Sequence, residues 1–310
     1  MQKEIMIAVD DSRHSKIAVR YAVDIYRALK DVKFTVMHVQ PTISQYLLDD
    51  VKTKPQAYAE LEKVNRKNTE TAKSLLASYK SQMVAAGIAE ENLQLKTQPR
   101  KLGVAKDILE AGLAGHFDAL ILGRRGLSGL QDMFIGSVSA NIVNNSMDTP
   151  IWLVDEEGAS QDIMIAVDGS ENSFKAVDHL AFIIGGNTDL KISFFHLAPR
   201  LQDFCPVDFE ETDSKALEEI IRQGDQHCID QFFSHAKKRL AEAGIQQNQI
   251  SFKTGEGAFR VGKAVLDEYR KGNFGTLVVG RQGMNKKFFT GSVSRYLVNQ
   301  FTGGALWVVP

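Results

Sequence analysis

Cysteine is scarce in this chain. Its 310 residues include two, Cys205 and Cys228, whose spacing suits neither a zinc ribbon nor a redox Cys-x-x-Cys pair. Such poverty fits a reducing compartment. No apolar run approaches the roughly 18 residues needed to cross a bilayer. The N-terminal Met1-Gln2-Lys3-Glu4-Ile5 enters a strand pattern directly, without the apolar stretch of a secretory signal. A cytoplasmic protein that does not insert into membranes is expected. Charge of one sign is also missing. Lys and Arg number 37 against 38 Asp and Glu, a formal net charge of −1, so nothing in the overall electrostatics points to nucleic acid or an anionic membrane as partner. There is no Gly-x4-Gly-Lys-Ser/Thr loop and no Gly-x-Ser-x-Gly elbow, which removes Walker-type phosphate chemistry and the α/β-hydrolase nucleophile.

What the chain does have is a repeat. Ile5-Met6-Ile7-Ala8-Val9-Asp10 recurs as Ile163-Met164-Ile165-Ala166-Val167-Asp168, each followed by two serines, Ser12 and Ser15 in one copy and Ser170 and Ser173 in the other. Ala86-Gly87-Ile88 recurs as Ala243-Gly244-Ile245, Lys96-Thr97 as Lys253-Thr254, and Gly136-Ser137-Val138-Ser139 as Gly291-Ser292-Val293-Ser294. The period is about 157 residues and the order is kept, so the unit is a whole domain rather than a solenoid repeat. Two domains are expected, 1–155 and 160–310, joined by the short polar stretch around Asp155–Gln161.

Each half alternates strand and helix patterns. Ile5–Val9, Phe34–Val39, Leu93–Thr97, Asp118–Leu122 and Ile151–Val154 read as strands, the first as a continuous apolar run typical of a buried parallel strand. Helical spacing runs from Ser15, over about Ala57–Ala86 up to Gly87, over Val104–Ala111 and from Gly136 to about Ser146; Thr42–Pro55 reads as a loop. The second half repeats this order. Such alternation predicts an α/β fold, with a five-stranded parallel sheet in each domain and helices on both faces. Ligands of such sheets bind beyond the carboxyl ends of the strands, where strand order reverses. Asp10, Val39 and Gly123 each fall at such an end.

The stretch Gly123-Arg124-Arg125-Gly126, followed by nine residues and then Gly136-Ser137, links a strand to a helix start. Glycines admit close backbone approach, and a helix N-terminus supplies free N–H groups and a positive dipole end, which together can hold a phosphate without lysine. A βα turn that merely needs small residues is the alternative, and the alternative for Asp10 is a cap on the following helix. With Val9-Asp10-Asp11-Ser12 and Thr149-Pro150-Ile151-Trp152-Leu153-Val154, this pattern resembles a universal stress protein, present as two tandem copies over nearly the full chain.

The resemblance implies a Rossmann-like, adenine nucleotide α-hydrolase-like domain that binds ATP, with magnesium as a possible companion. It implies that the Asp10 carboxylate and the Val39 backbone meet adenine and that Gly123 and Gly126 admit ribose and phosphates. Gly136, Ser137, Val138 and Ser139 would hold the phosphates. The corresponding residues of the second half are Asp168, Leu197, Gly280, Gly283, Gly291, Ser292 and Ser294, but seven residues rather than nine separate Gly283 from Gly291. That shortening puts nucleotide binding there in doubt, and Lys286 and Lys287 within it read as a solvated basic turn. Family domains pair through the terminal strand, so the two halves are expected to pair as an internal pseudo-dimer, with a homodimer of chains beyond it.

No His/Asp/Glu cluster adjoins the glycine loop to activate water, so no catalytic residues and no metal ligands are assigned. His38 and His196 recur at equivalent places and read as structural, while His227, Cys228 and His235 do not share a helix face. Three functions follow. The first is a stress-response regulator that binds ATP with little turnover. The second is a scaffold or a protein that binds another small molecule, and the third a weak ATPase.

Overall fold

The computed structural model describes residues 2–51, 54–125, 135–156, 158, 160–200, 211–256, 260–281 and 292–310. Gly126, Gly283, Gly291, Lys286, Lys287 and the segment 201–210 lie outside them.

The first half contains β1 (Lys3–Ala8), α1 (Arg13–Tyr26), β2 (Val32–Val39), α2 (Gln45–Val51), α3 (Pro55–Ala85), β3 (Leu93–Gln98), α4 (Val104–Ala114), β4 (Ala119–Gly123), α5 (Ser137–Asn145) and β5 (Ile151–Val154). The second contains β6 (Ile163–Val167), α6 (Glu171–Ile184), β7 (Ile192–Leu197), α7 (Glu211–Glu242), β8 (Ile250–Gly255), α8 (Val261–Lys271), β9 (Thr276–Gly280), α9 (Ser292–Gln300) and β10 (Ala305–Val309). The strand patterns fall where the sequence put them. α2 does not. Its residues, expected as loop, form a short helix whose Tyr46 is exposed, so it has no periodic core face to betray it. Local pairs such as Lys54 with Asp50 and Gln45 with Asp49 hold it instead.

The strands form one sheet of ten, in the order β3-β2-β1-β4-β5-β10-β9-β6-β7-β8. Within each half all neighbours are parallel; β5 and β10 alone run antiparallel. The expected pair of five-stranded sheets is thus a single sheet, fused at the terminal strands. That fusion pairs the terminal strands β5 and β10 within one chain, so association of two chains has to use another surface. Alternation within each strand feeds two cores. Ile5 and Ile7 point to the face covered by α1, α3, α6 and α7, and Met6 and Ala8 to the face covered by α4, α5, α8 and α9.

The join is centred on Trp152 and Trp307, which are register partners. Both indoles are fully buried and stack with centroids 3.9 Å apart and planes inclined by 2°. Each donates its N–H to the opposite half: Trp307 to the Tyr21 hydroxyl at 2.9 Å, and Trp152 to His179 Nε2 at 3.1 Å. The two acceptors occupy equivalent places on α1 and α6. Two arginines repeat this exchange. Arg124 donates to the carbonyl of Asn299 near the end of α9, and Arg281 to that of Asn144 near the end of α5. A cation at a helix C-terminus meets free carbonyls and the negative dipole end. Among the described residues no helix is long and apolar enough to cross a membrane.

Because His179 Nε2 accepts the Trp152 hydrogen bond, that nitrogen must keep its lone pair. Burial pushes this imidazole down from 6.5 to about 3. The unfolded chain therefore takes up a proton near pH 6.5 that the folded chain refuses until about pH 3. The stability His179 contributes is present above pH 6.5 and lost progressively as pH falls through that window. Denaturant unfolding of the wild type and of His179→Gln across this range should show a shallower acid loss in the variant. Equal pH dependence in both would contradict the assignment.

Candidate functional site

Strand order reverses between β1 and β4, and the candidates gather at the carboxyl ends of those strands. The Asp10 Oδ1 atom accepts the Ser12 N–H at 3.0 Å and the Ser15 hydroxyl at 2.7 Å. Ser12 is the cap of α1, accepting the Ser15 N–H at 3.1 Å. Capping thus falls to Ser12, and Asp10 sits behind it as the acceptor that fixes the turn. Tyr79 on α3 closes the arrangement by donating to the Asp10 carbonyl at 2.8 Å. Asp11 is exposed and turned to Lys16 at 3.1 Å. His38 Nδ1 lies 2.8 Å from the Val9 carbonyl, which can only accept, so this nitrogen is the protonated one. That bond gives His38 the structural part expected of it, while the residue also lines the candidate cavity described below.

Gly123 ends β4 against the first turn of α1. A Cβ there would lie 2.8 Å from the backbone and Cβ of His14. Gly280 is constrained in the same way, with a Cβ position 2.7 Å from the Asn172 carbonyl oxygen. Close packing of strand on helix therefore requires glycine at both positions, whatever binds nearby.

Beyond Gly123, α5 opens toward the same space. The Gly136 N–H is taken by the Arg124 carbonyl at 2.9 Å. The Ser139 hydroxyl is buried and donates to the Gly123 carbonyl at 2.8 Å, and Ser294 repeats this with Arg281 at 2.6 Å. The serine hydroxyl pictured on a phosphate is thus spent on the backbone. The donors left to α5 are the first-turn N–H groups of Ser137, Val138 and Ser139, which a helix cannot satisfy internally.

All the first-half candidates among the described residues line one cavity of about 530 Å³: Asp10, Val39, Gly123, Gly136, Ser137, Val138 and Ser139. Residues that sequence reasoning missed complete it, chiefly Arg100, Arg125 and Gln40. Arg125 stood within the glycine motif as an unspecified position. Arg100 follows β3 and carried no signal. It is held there by the loop before α4, where buried Asp107 accepts the N–H groups of Lys101 and Leu102, each at 2.9 Å. Burial alone would push this carboxyl up, but those bonds and the Arg100 charge hold it below the ordinary carboxylate value. Arg125 also faces buried Asp155 at 3.3 Å, shared with Arg124 at 3.5 Å.

In the second half Ser170 caps α6, and Asp168 Oδ1 accepts from the Ser170 N–H and the Ser173 hydroxyl. Asp168 and Leu197 line a cavity of about 420 Å³ under α7; Gly280, Ser292 and Ser294 are not in its lining. Among the described residues no three His, Cys, Asp or Glu side chains gather as a metal site.

Comparison with known proteins matches the model of the universal stress protein family twice, over residues 1–154 and 160–309. A universal stress protein of Staphylococcus saprophyticus is 30% identical over 148 residues, which span 46% of this chain and 78% of that one. In fold the chain is similar to a universal stress protein from Archaeoglobus fulgidus, with a TM-score of 0.62 and 17% identity, covering 99% of this chain and 97% of the other. It is similar also to one from Pseudomonas aeruginosa, with a TM-score of 0.56 and 12% identity over 99% and 93% of the two chains.

Since the two glycines answer to packing, Gly123→Ala and Gly280→Ala should each destabilise the fold by about 1–3 kcal/mol, the cost of overpacking a close contact. Denaturant titration without ligand checks this. Unchanged midpoints in both variants would mean that the glycines are there for a ligand alone.

Proposed function

The chain belongs to the universal stress protein family, and on that premise we propose that its first half binds an adenine nucleotide, ATP or ADP, as a regulatory ligand with little or no turnover. The observation that carries this reading is a convergence. Seven candidates chosen from sequence line a single cavity at the strand-order reversal, together with two arginines and an open helix N-terminus. Asp10 at the end of β1 suits an exocyclic amino group or ribose hydroxyl, since a carboxylate only accepts. The N–H groups at the start of α5 suit a phosphate. Arg100 and Arg125 supply the positive charge that a polyphosphate needs and that the motif itself lacks.

We expect slow or absent turnover because Asp10 Oδ1 and His38 Nδ1 are spent on fixing the end of β1, and no further His, Asp or Glu is in the described lining. Magnesium would come with the nucleotide, held mostly by its phosphates and by water, as that ion prefers. The reading places the protein in the cytoplasm, with nucleotide occupancy as the signal it carries in a stress response. A homodimer, which the family resemblance suggests, would form through surfaces other than β5 and β10.

Arg100 is exposed at the cavity, so its side chain can be removed without opening a void in the core. Calorimetric titration with ATP should give one site per chain in the wild type. Arg100→Ala should weaken it roughly tenfold, the worth of one charge-assisted contact to phosphate, while the variant still unfolds cooperatively. Equal affinity in the two proteins would remove Arg100 from the site, and no heat in either would sink the nucleotide reading.

A further inference from the structure

A groove of about 580 Å³ lies between α5 and α9, on the face of the sheet away from α1 and α6. Equivalent residues of the two copies line it. Matching Ser139 to Ser294 pairs Val143 with Val298, Asn144 with Asn299 and Ala140 with Arg295, and all six are in its lining. The groove therefore straddles the pseudo-two-fold that relates the halves. What breaks the symmetry of these pairs is a guanidinium, present on the second copy alone.

Positive charge also lies beneath the groove. Arg124 and Arg281 are buried and donate to the backbone carbonyls of Asn299 and Asn144, two of the lining residues. Their charges are not balanced alike. Arg124 shares Asp155 with Arg125, at 3.5 and 3.3 Å. The pairing of Trp152 with Trp307 puts Pro310 at the place of Asp155, so the second copy has no such side chain for Arg281. Burial pushes the Arg281 guanidinium down, and no carboxylate among the described residues offsets this. The negative end of α5 meets part of its charge, and what is left adds to the positive potential at the groove.

The lining itself does nothing to cancel that potential. No Asp or Glu is among its described residues. Asn145 and Asn299 turn their amide N–H groups back onto their own helices, to Asn141 and to the Arg295 carbonyl. Arg295, exposed, is the charged group that the groove offers, and the wall beside it is apolar, from Ile135, Val143, Met147 and Val298.

We propose that this groove binds a small amphipathic anion, with a carboxylate or phosphate on Arg295 and an apolar part along Val143, Met147 and Val298. The volume is that of a small-molecule site, and an apolar wall with a few placed polar groups is the usual make-up of one. The planar fork of an arginine matches the paired oxygens of either head. The site is separate from the first-half cavity. That cavity takes Ser137, Val138 and Ser139 from α5, while the groove takes Ala140, Val143 and Asn144.

Four probes that share a tail and differ in head charge test this: octanoate, octyl phosphate, octanol and octylammonium, each titrated calorimetrically into the full chain. Octanoate and octyl phosphate should each bind roughly fivefold more tightly than octanol, the size expected of one exposed charge pair, and octylammonium more weakly than octanol. Arg295→Ala gives this position the residue that its equivalent, Ala140, already carries, so the fold should accept it. In that variant both anions should fall to the affinity of octanol, with octanol unchanged. Arg100→Ala, which alters the first-half cavity, should leave all four affinities as they are. Equal binding of octanoate and octanol by the wild type would overturn the proposal, as would anion binding lost in Arg100→Ala but kept in Arg295→Ala, or a chain that binds none of the four.

Discussion

One antiparallel register, Trp152 opposite Trp307, turns two parallel sheets into a single one of ten strands. An unpaired terminal strand would leave a row of N–H and C=O groups and an apolar edge open to any passing sheet. Here each half closes the other's edge, and the stacked indoles sit on the pseudo-two-fold between them. Their N–H groups cannot be buried unpaired without cost, so each needs an acceptor. Each finds it in the other half, in Tyr21 and His179. The arginines that begin the two glycine loops also cross over, to Asn299 and Asn144. The residue after Gly123 is thus anchored in the second half, and the residue after Gly280 in the first. The fused sheet thus anchors the residues that follow Gly123 and Gly280, beside the candidate nucleotide site.

Duplication preserved this frame and let the chemistry diverge. Capping serines, the acceptor aspartates and the packing glycines are the same in both halves because they solve the same local problems. They cap α1 and α6, fix the turn after β1 and β6, and bring a strand end against a helix. What differs is what lines the two cavities. Arg100 and Arg125 line the first cavity, while the His196–Asp225 pair and apolar side chains from α7 line the second. A shared fold does not carry a shared ligand, since the fold sets only where a ligand sits.

The fold was legible because its signals are local or repeated. Continuous apolar strands, alternation with helices and the recurrence of Ile5–Asp10 as Ile163–Asp168 give the architecture without any contact being known. α2 escaped because a short exposed helix leaves no periodic stripe. In the site, the positions of Asp10, Val39 and Gly123 followed from strand ends, but the parts played by individual groups did not. That Gly123 is demanded by His14, that the Ser139 hydroxyl is spent on Gly123, and that Arg100 reaches the cavity from the far side of β3 are facts of tertiary geometry. They depend on contacts between separate elements, which spacing along the chain does not report. The shortened second motif hinted at divergence, yet the absence of both arginines from the second copy drew notice only once the structure had placed them in the lining of the first cavity.

The central claim is that two halves of one fold present one nucleotide site. Native mass spectrometry of protein purified without added nucleotide, with mass analysis of whatever ligand denaturation releases, tests it most directly. The account predicts one ATP or ADP per chain. Two per chain would contradict the divergence of the second half. No nucleotide, and none taken up on titration with ATP and magnesium, would contradict the assignment of the first.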